Sequence, residues 1–282
     1  MSLTRRLLRL VTIAVLTPVI FLLGCQSQMI YHPRGYGAAP LEMLQKAGGV
    51  ELTFSTSQGS QTAYYIPPWD KQNREPTAIW ICFGGNGSLA LDWLHYTEHW
   101  DSGNAYLLVD YPGYGKCAGS PNPKRIQENI TAATQALTTH LGAKDIAQLR
   151  PRLRVMGHSL GAAAALIAAD ELQIDHAILI SPFTSLTDMG NKVLIWPLGY
   201  LNLHRYDNRP LIKKLANSGA QITLFHGTDD ELIPPSMSQA LADIDPQHVK
   251  IHLVERAEHN DIIYLAAGAI RAAMPSDRLK VP

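Results

Sequence analysis

The sequence predicts an α/β fold built on a mostly parallel central sheet with helices on both faces. Three observations carry this reading. Short apolar runs alternate with helix-length segments along the chain. The runs are almost continuously apolar rather than alternating, which is the pattern of strands buried on both faces. Each run also stops at a loop rich in Gly, Pro, Ser or Asp, where the backbone turns.

Residues 50–66 (VELTFSTSQGSQTAYYI) predict an antiparallel hairpin turning at Gln58-Gly59. Thr77–Phe83 is the next strand and ends in Gly84-Gly85-Asn86-Gly87. Ala105–Val109 ends in Asp110-Tyr111-Pro112-Gly113-Tyr114-Gly115. Leu153–Met156 ends in Gly157, and Ala177–Ile180 ends in Ser181-Pro182. Ile222–Phe225 ends in His226-Gly227, and Lys250–Val254 precedes Arg256-Ala257. Helices are predicted between them. Pro123–Leu141 has apolar residues near helical spacing and Gly142 as a stop. Leu160–Leu172 is alanine-rich, so it is a strong helix former that can lie close on a sheet. Ile262–Ala273 closes the series. No internal repeat or long linker divides the mature chain, so residues 25–282 read as one domain with a short N-terminal tether.

The chain has 282 residues, 24 basic and 24 acidic, with 46 % hydrophobic and 17 % charged residues. That balance excludes a disordered polyelectrolyte and argues against a nucleic-acid binder working through a basic face. The 3 cysteines are too few for a disulfide framework.

The N-terminus departs from this average. Arg5, Arg6 and Arg9 precede a segment from Leu10 to Pro33 that lacks Asp, Glu, Lys and Arg. A basic start and a short apolar run read as an export signal over residues 1–24. A permanent span needs roughly 20 apolar residues, more than Leu10–Leu23 supplies. Leu22-Leu23-Gly24-Cys25 resembles a bacterial lipobox, which implies lipidation of Cys25 and cleavage before it. The competing reading is an ordinary signal peptide with a chance cysteine. Thr4-Arg5-Arg6 is a weak twin-arginine match. Gln26, where inner-membrane lipoproteins have Asp, implies by the same resemblance an outer-membrane anchor facing the periplasm. Cleavage removes three arginines and no acid, leaving a mildly acidic mature chain.

Gly157-His158-Ser159-Leu160-Gly161 matches G-x-S-x-G, with a strand running in and a helix running out. That is the setting of a nucleophile elbow, in which a serine sits on a turn too tight for flanking side chains. The competing reading is a Gly/Ser turn with Ser159 as a helix cap. A nucleophilic serine needs an acid and a histidine later in the chain. His259, in Ala257-Glu258-His259-Asn260-Asp261, follows the last strand. Asp229 and Asp230 follow the strand before it, and Asp230 is preferred as the acid, with Asp229 a turn residue. Glu231 and Asp188 are distant candidates. His158 and His226 are expected to hold backbone rather than to react. The oxyanion donors are expected to be the N–H of Leu160 and, from the glycine loop, that of Asn86, with Gly85 the alternative. The glycine loop lacks the Lys-Ser/Thr of a phosphate loop and does not complete a dinucleotide fingerprint.

These pieces together resemble the single-domain α/β-hydrolases that include the membrane-anchored eukaryotic protein depalmitoylases and bacterial relatives. The matching pieces are Tyr31-His32-Pro33, Gly85-Asn86, Asp110-Tyr111-Pro112-Gly113-Tyr114-Gly115, the elbow, Ser181-Pro182, Tyr206-Asp207-Asn208, His226-Gly227-x-x-Asp230 and His259-Asn260-Asp261. They cover residues 29 to 264. The resemblance implies an α/β-hydrolase fold and catalysis by serine. Two departures stand out. Gly84-Gly85-Asn86 replaces the usual His-Gly-Asn, leaving the loop's support open. The acid motif carries a double Asp, leaving the acid's identity open.

Residues 182–221 are long enough for a small cap and include the apolar run Val193–Tyr200. Trp93, Tyr96 and Trp100 follow the glycine loop. Both stretches either line an acyl pocket or pack in the core. No charged cluster points to a charged substrate, so acyl esters or thioesters fit best. A serine peptidase of the prolyl-oligopeptidase-like type and a non-catalytic binding lipoprotein are the alternatives. The 11 histidines form no H-E-x-x-H and the cysteines no paired C-x-x-C, so neither metal nor cofactor is expected. Cys82 and Cys117 could pair or remain free thiols.

Overall fold

The computed structural model describes residues 3–70, 75–97, 99–100, 102–193 and 197–274. Its strands are β1 (Val50–Thr56), β2 (Gly59–Ile66), β3 (Ile79–Phe83), β4 (Ala105–Val109), β5 (Leu153–His158), β6 (His176–Ile180), β7 (Gln221–Gly227) and β8 (Val249–Val254). They form one eight-stranded sheet in the order β1-β2-β4-β3-β5-β6-β7-β8. β2 runs antiparallel to both neighbours, and the rest of the sheet is parallel. Every residue of β3 and β4 is buried, as continuous apolar strands require. β5 and β7 run two residues past their predicted ends because His158 still pairs with Ile180, and Gly227 with Val254.

The helices are α1 (Leu3–Ile30), α2 (Ala38–Lys46), α3 (Leu94–Thr97), α4 (Pro123–His140), α5 (Ile146–Leu149), α6 (Leu160–Leu172), α7 (Leu186–Val193), α8 (Asn208–Asn217), α9 (Pro235–Ala242), α10 (Ile262–Leu265) and α11 (Ala267–Ala273). Asn122 caps α4 by accepting from Arg125 N–H at 2.9 Å, and Pro123 occupies its first turn. One face of the sheet buries Ile126, Ile130 and Leu137 of α4, the alanines of α6, Ile212 of α8 and Leu241 of α9. The other buries Leu44 of α2, Trp80, Tyr106, Ile262 of α10 and Ile270 of α11. The predicted helix Ile262–Ala273 is interrupted at Ala266. The break involves one residue, since Ala266 N–H still bonds Ile262 O and Ile270 N–H bonds Ala266 O, each at 2.8 Å.

Cys82 and Cys117 are free and buried. Cys82 packs with Trp80 and Met156, whereas the Cys117 sulfur accepts from Thr62 N–H at 3.3 Å. Burial raises both thiols, Cys117 to about 12, so neither is a ready nucleophile. The first helix continues past the predicted cleavage point. It carries a 19-residue stretch, Thr12–Ile30, long and apolar enough to cross a membrane, a length that a signal sequence also reaches.

Candidate active site

Ser159 lies between β5 and α6, at the carboxyl edge of the parallel sheet where α/β folds place their sites. Its backbone has φ 56° and ψ −118°, a conformation that costs a non-glycine residue about 1–3 kcal/mol. Packing enforces it. A Cβ on Gly157 would strike the carbonyl of Gly161, and one on Gly161 would strike the carbonyls of Phe83 and Gly84. Only glycine at both positions lets β5, α6 and the end of β3 meet this closely. Ser159 N–H is held by Ile180 O at 2.8 Å.

Asp230 and His259 meet across the loops after β7 and β8. His259 Nδ1–H donates to Asp230 Oδ2 at 2.7 Å, which leaves Nε2 as the free acceptor nitrogen. The second oxygen, Oδ1, accepts from Ile233 N–H at 2.8 Å and Leu232 N–H at 3.0 Å. His226 adds a contact of 3.3 Å to Oδ2. Its Nε2 also faces Ile233 O at 2.8 Å, so it carries the proton, and Nδ1 accepts from Ser238 O–H at 2.5 Å. Burial alone would raise the Asp230 carboxyl. The hydrogen bonds from His226, His259 and Ile233 outweigh burial and hold it well below the usual carboxylate range. Asp229 is exposed and takes the turn position, accepting from Thr228 O–H at 3.0 Å. Asp188 is engaged by Arg209 and Thr184.

His158 Nε2–H donates to the His259 carbonyl at 2.9 Å, with the two rings 4.8 Å apart. Burial, then the neighbouring His259, pushes its pKa down to about 4, so it is neutral near pH 7. Ser159 and His259 face one cavity but close no hydrogen bond with each other; such contacts often tighten only around substrate.

The glycine loop is supported by two tyrosines and by the end of α1. Tyr111 O–H, fully buried, donates to Gly84 O at 2.7 Å. Tyr114 O–H donates to Asn86 O at 2.6 Å, where His32 N–H also donates at 2.9 Å. The Asn86 side chain donates to Ile30 O at 3.1 Å. The loop is therefore held from the segment after β4 and from the end of α1. The N–H groups of Gly85, Asn86 and Leu160 have no acceptor among the described residues. All three residues line the cavity with Ser159.

That cavity encloses about 690 Å³, within the range of small-molecule sites. Its walls come from Phe183, Leu186, Met189, Val193, Leu198 and Leu201 of the cap region and from Met29 and Ile30 of α1. Among the described residues, no Asp, Glu, Lys or Arg lines it. The run Val193–Tyr200 thus contributes to the pocket at Val193, Leu198 and Gly199, while residues 194–196 lie outside the described residues. Trp93, Tyr96 and Trp100 instead pack on one another and on Tyr106 in the second core, and none lines the cavity.

The sheet order and the strand–serine–helix elbow fit one fold, and the profile of the alpha/beta hydrolase family matches residues 81–217. The chain has the α/β-hydrolase fold and resembles that family. Among its relatives, an uncharacterised protein of Mycobacterium tuberculosis is 29 % identical over 93 % of this chain and 91 % of its own. Human alpha/beta hydrolase domain-containing protein 17C is 31 % identical over 54 % of this chain and 43 % of its own. A Pyrococcus furiosus esterase structure shares the α/β-hydrolase fold, with TM-score 0.59, 16 % identity, and 86 % and 95 % of the two chains covered.

Gln26 reads from sequence only as the residue after Cys25, and its place at the cavity is a structural finding. Its side chain is buried against the cap and lines the cavity, 133 positions from Ser159. No local pattern announces such a contact, because it exists only once α1 and the cap meet.

Proposed function

We propose that this protein is a serine hydrolase of aliphatic carboxylic esters or thioesters, anchored to the bacterial cell envelope through a lipid on Cys25. In this mechanism Ser159 O–H attacks the acyl carbonyl carbon and its proton passes to His259 Nε2. The N–H groups of Leu160 and Asn86 receive the developing oxyanion. Asp230 fixes the imidazole tautomer and stabilises the cation. The tetrahedral adduct collapses, the carbon–oxygen or carbon–sulfur bond breaks, and His259 returns the proton to the leaving alcohol or thiol. Water then attacks the acyl-enzyme by the same route, releasing the acid and free Ser159.

The observation that carries this reading is the uncharged, apolar cavity with Ser159 and the Asp230-paired His259 on its wall. Burying a methylene is worth about 0.8 kcal/mol, or roughly fourfold in kcat/KM. A series of 4-nitrophenyl esters of increasing length should therefore gain up to about fourfold per methylene until the cavity fills, and a monoester bearing a terminal carboxylate should be hydrolysed poorly. A flat series, or faster cleavage of peptide amides, would favour the peptidase reading. For the anchor, metabolic palmitate labelling should disappear in Cys25→Ser; labelling that persists there rules it out.

A further inference from the structure

The residue after the proposed lipidation site is locked to the cap. Gln26 Nε2–H donates to Leu201 O and Gln26 Oε1 accepts from Leu203 N–H, both at 2.7 Å. Consecutive Cα atoms are about 3.8 Å apart, so Cys25 is fixed one residue from the cavity wall. No flexible tether intervenes. An apolar α1 and a lipid on Cys25 enter a bilayer at the same point, and either one carries the cavity mouth with it.

The surface around that point is apolar. Met29, Val193, Tyr200, Leu203 and Leu232 are 48 %, 72 %, 58 %, 65 % and 57 % exposed. They come from α1, the cap and the loop after β7, and are gathered by tertiary packing rather than by one amphipathic element. A grouped set of large exposed apolar side chains marks an interaction surface. Two cations border it: Lys192 donates to Leu232 O at 3.3 Å and Arg205 to Tyr200 O at 3.1 Å. Basic groups beside an apolar rim lie where anionic headgroups meet the hydrocarbon.

We propose that this rim is seated in the bilayer interface, so that the cavity opens onto the membrane and takes the acyl chain of its substrate directly from it. The acyl-entry part rests on the reading of the cavity as an acyl site. The substrate class is then a membrane-resident acyl ester or thioester, with its cleavable bond at headgroup depth.

The test uses full-length protein in vesicles of phosphatidylethanolamine and phosphatidylglycerol. A fluorescent amino acid replaces Leu203 or, as a control, Lys144, which is exposed beyond α4 toward the opposite edge of the sheet. Shallow doxyl-labelled lipids should quench the probe at 203 at least threefold more than at 144. Equal quenching overturns the seating, whatever the enzyme activity. Separately, the double variant Tyr200→Asp, Leu203→Asp should hydrolyse a water-soluble short-chain ester within twofold of wild type, which also reports folding. On a long-chain ester embedded in vesicles it should lose at least tenfold. Unchanged hydrolysis of the embedded ester overturns membrane delivery. A wild-type protein that cleaves neither ester overturns the acyl-site reading instead, and quenching still decides the seating.

Discussion

The His158 ring nitrogen Nε2 lies 2.9 Å from the backbone carbonyl of His259, so the residue before the elbow serine pins the loop that carries the other histidine. The bond joins the end of β5 to the segment after β8, which are separated in the sheet by two strands. His158 holds this contact as a neutral donor.

His158→Leu should lower kcat by 10- to 100-fold with KM changed less than threefold, because a misplaced general base costs the chemical step rather than binding. His158→Gln can keep a donor near the His259 carbonyl and should recover part of the loss. Steady-state kinetics on both variants checks this; equal losses in kcat would refute a positioning role.

Asp230→Asn should lower kcat by about 10⁴-fold, since an amide no longer selects the imidazole tautomer. Asp229→Asn should remain within twofold, because Asp229 is exposed and turned to Thr228. Single-turnover kinetics on the pair distinguishes the two carboxylates.

Stability against pH follows from three buried groups. His158 is depressed to about 4, so the stability it contributes by staying neutral is present above its ordinary 6.5 and is lost as pH falls toward 4. Burial raises Asp110 to about 6, despite hydrogen bonds from Tyr36 and Ala90, so its stabilising contribution is full below 3.8 and is lost as pH rises through 6. These opposed slopes should leave the urea midpoint nearly flat from pH 6.5 to 4. Below about 4, protonation of Asp230, held low in the fold, should bring a steep loss. Asp110→Asn removes one of the opposed slopes, so its midpoint should fall between pH 6.5 and 4.

Tyr111→Phe leaves the buried Gly84 carbonyl without its donor, at a cost of about 1–3 kcal/mol. It should also lower kcat several-fold by loosening the glycine loop. Denaturant melts and kinetics on the same preparation check both effects.

Gly161→Ala drives a methyl into the Phe83 and Gly84 carbonyls, which are backbone and cannot swing away. Overpacking of this kind costs about 1–3 kcal/mol, here expected at the upper end. The melting temperature reports it.

Much of this architecture is legible in the sequence because it is local. Continuous apolar runs mark β3 to β7, the alanine-rich segment marks α6 from Leu160 to Leu172, and Gly157 and Gly161 mark a turn without room for side chains. Asp230 and His259 stand out because each directly follows a late strand. What stays hidden depends on distant packing. Trp93 and Trp100 read equally well as pocket or core from their sequence, and the register of β3 and β4 beneath them decides for core. The supports of the glycine loop, Tyr111 and Tyr114, lie after a different strand and become neighbours only because β4 pairs with β3. The Gln26 bridge spans 175 positions to Leu201 and 177 to Leu203.

The proposed mechanism stands or falls on Ser159 as the nucleophile. Labelling of the folded protein with a fluorophosphonate, followed by peptide mass spectrometry, tests it most directly. One covalent adduct on Ser159 is predicted, absent from Ser159→Ala together with ester hydrolysis. An adduct on another residue, or a Ser159→Ala protein with full esterase activity, would contradict it.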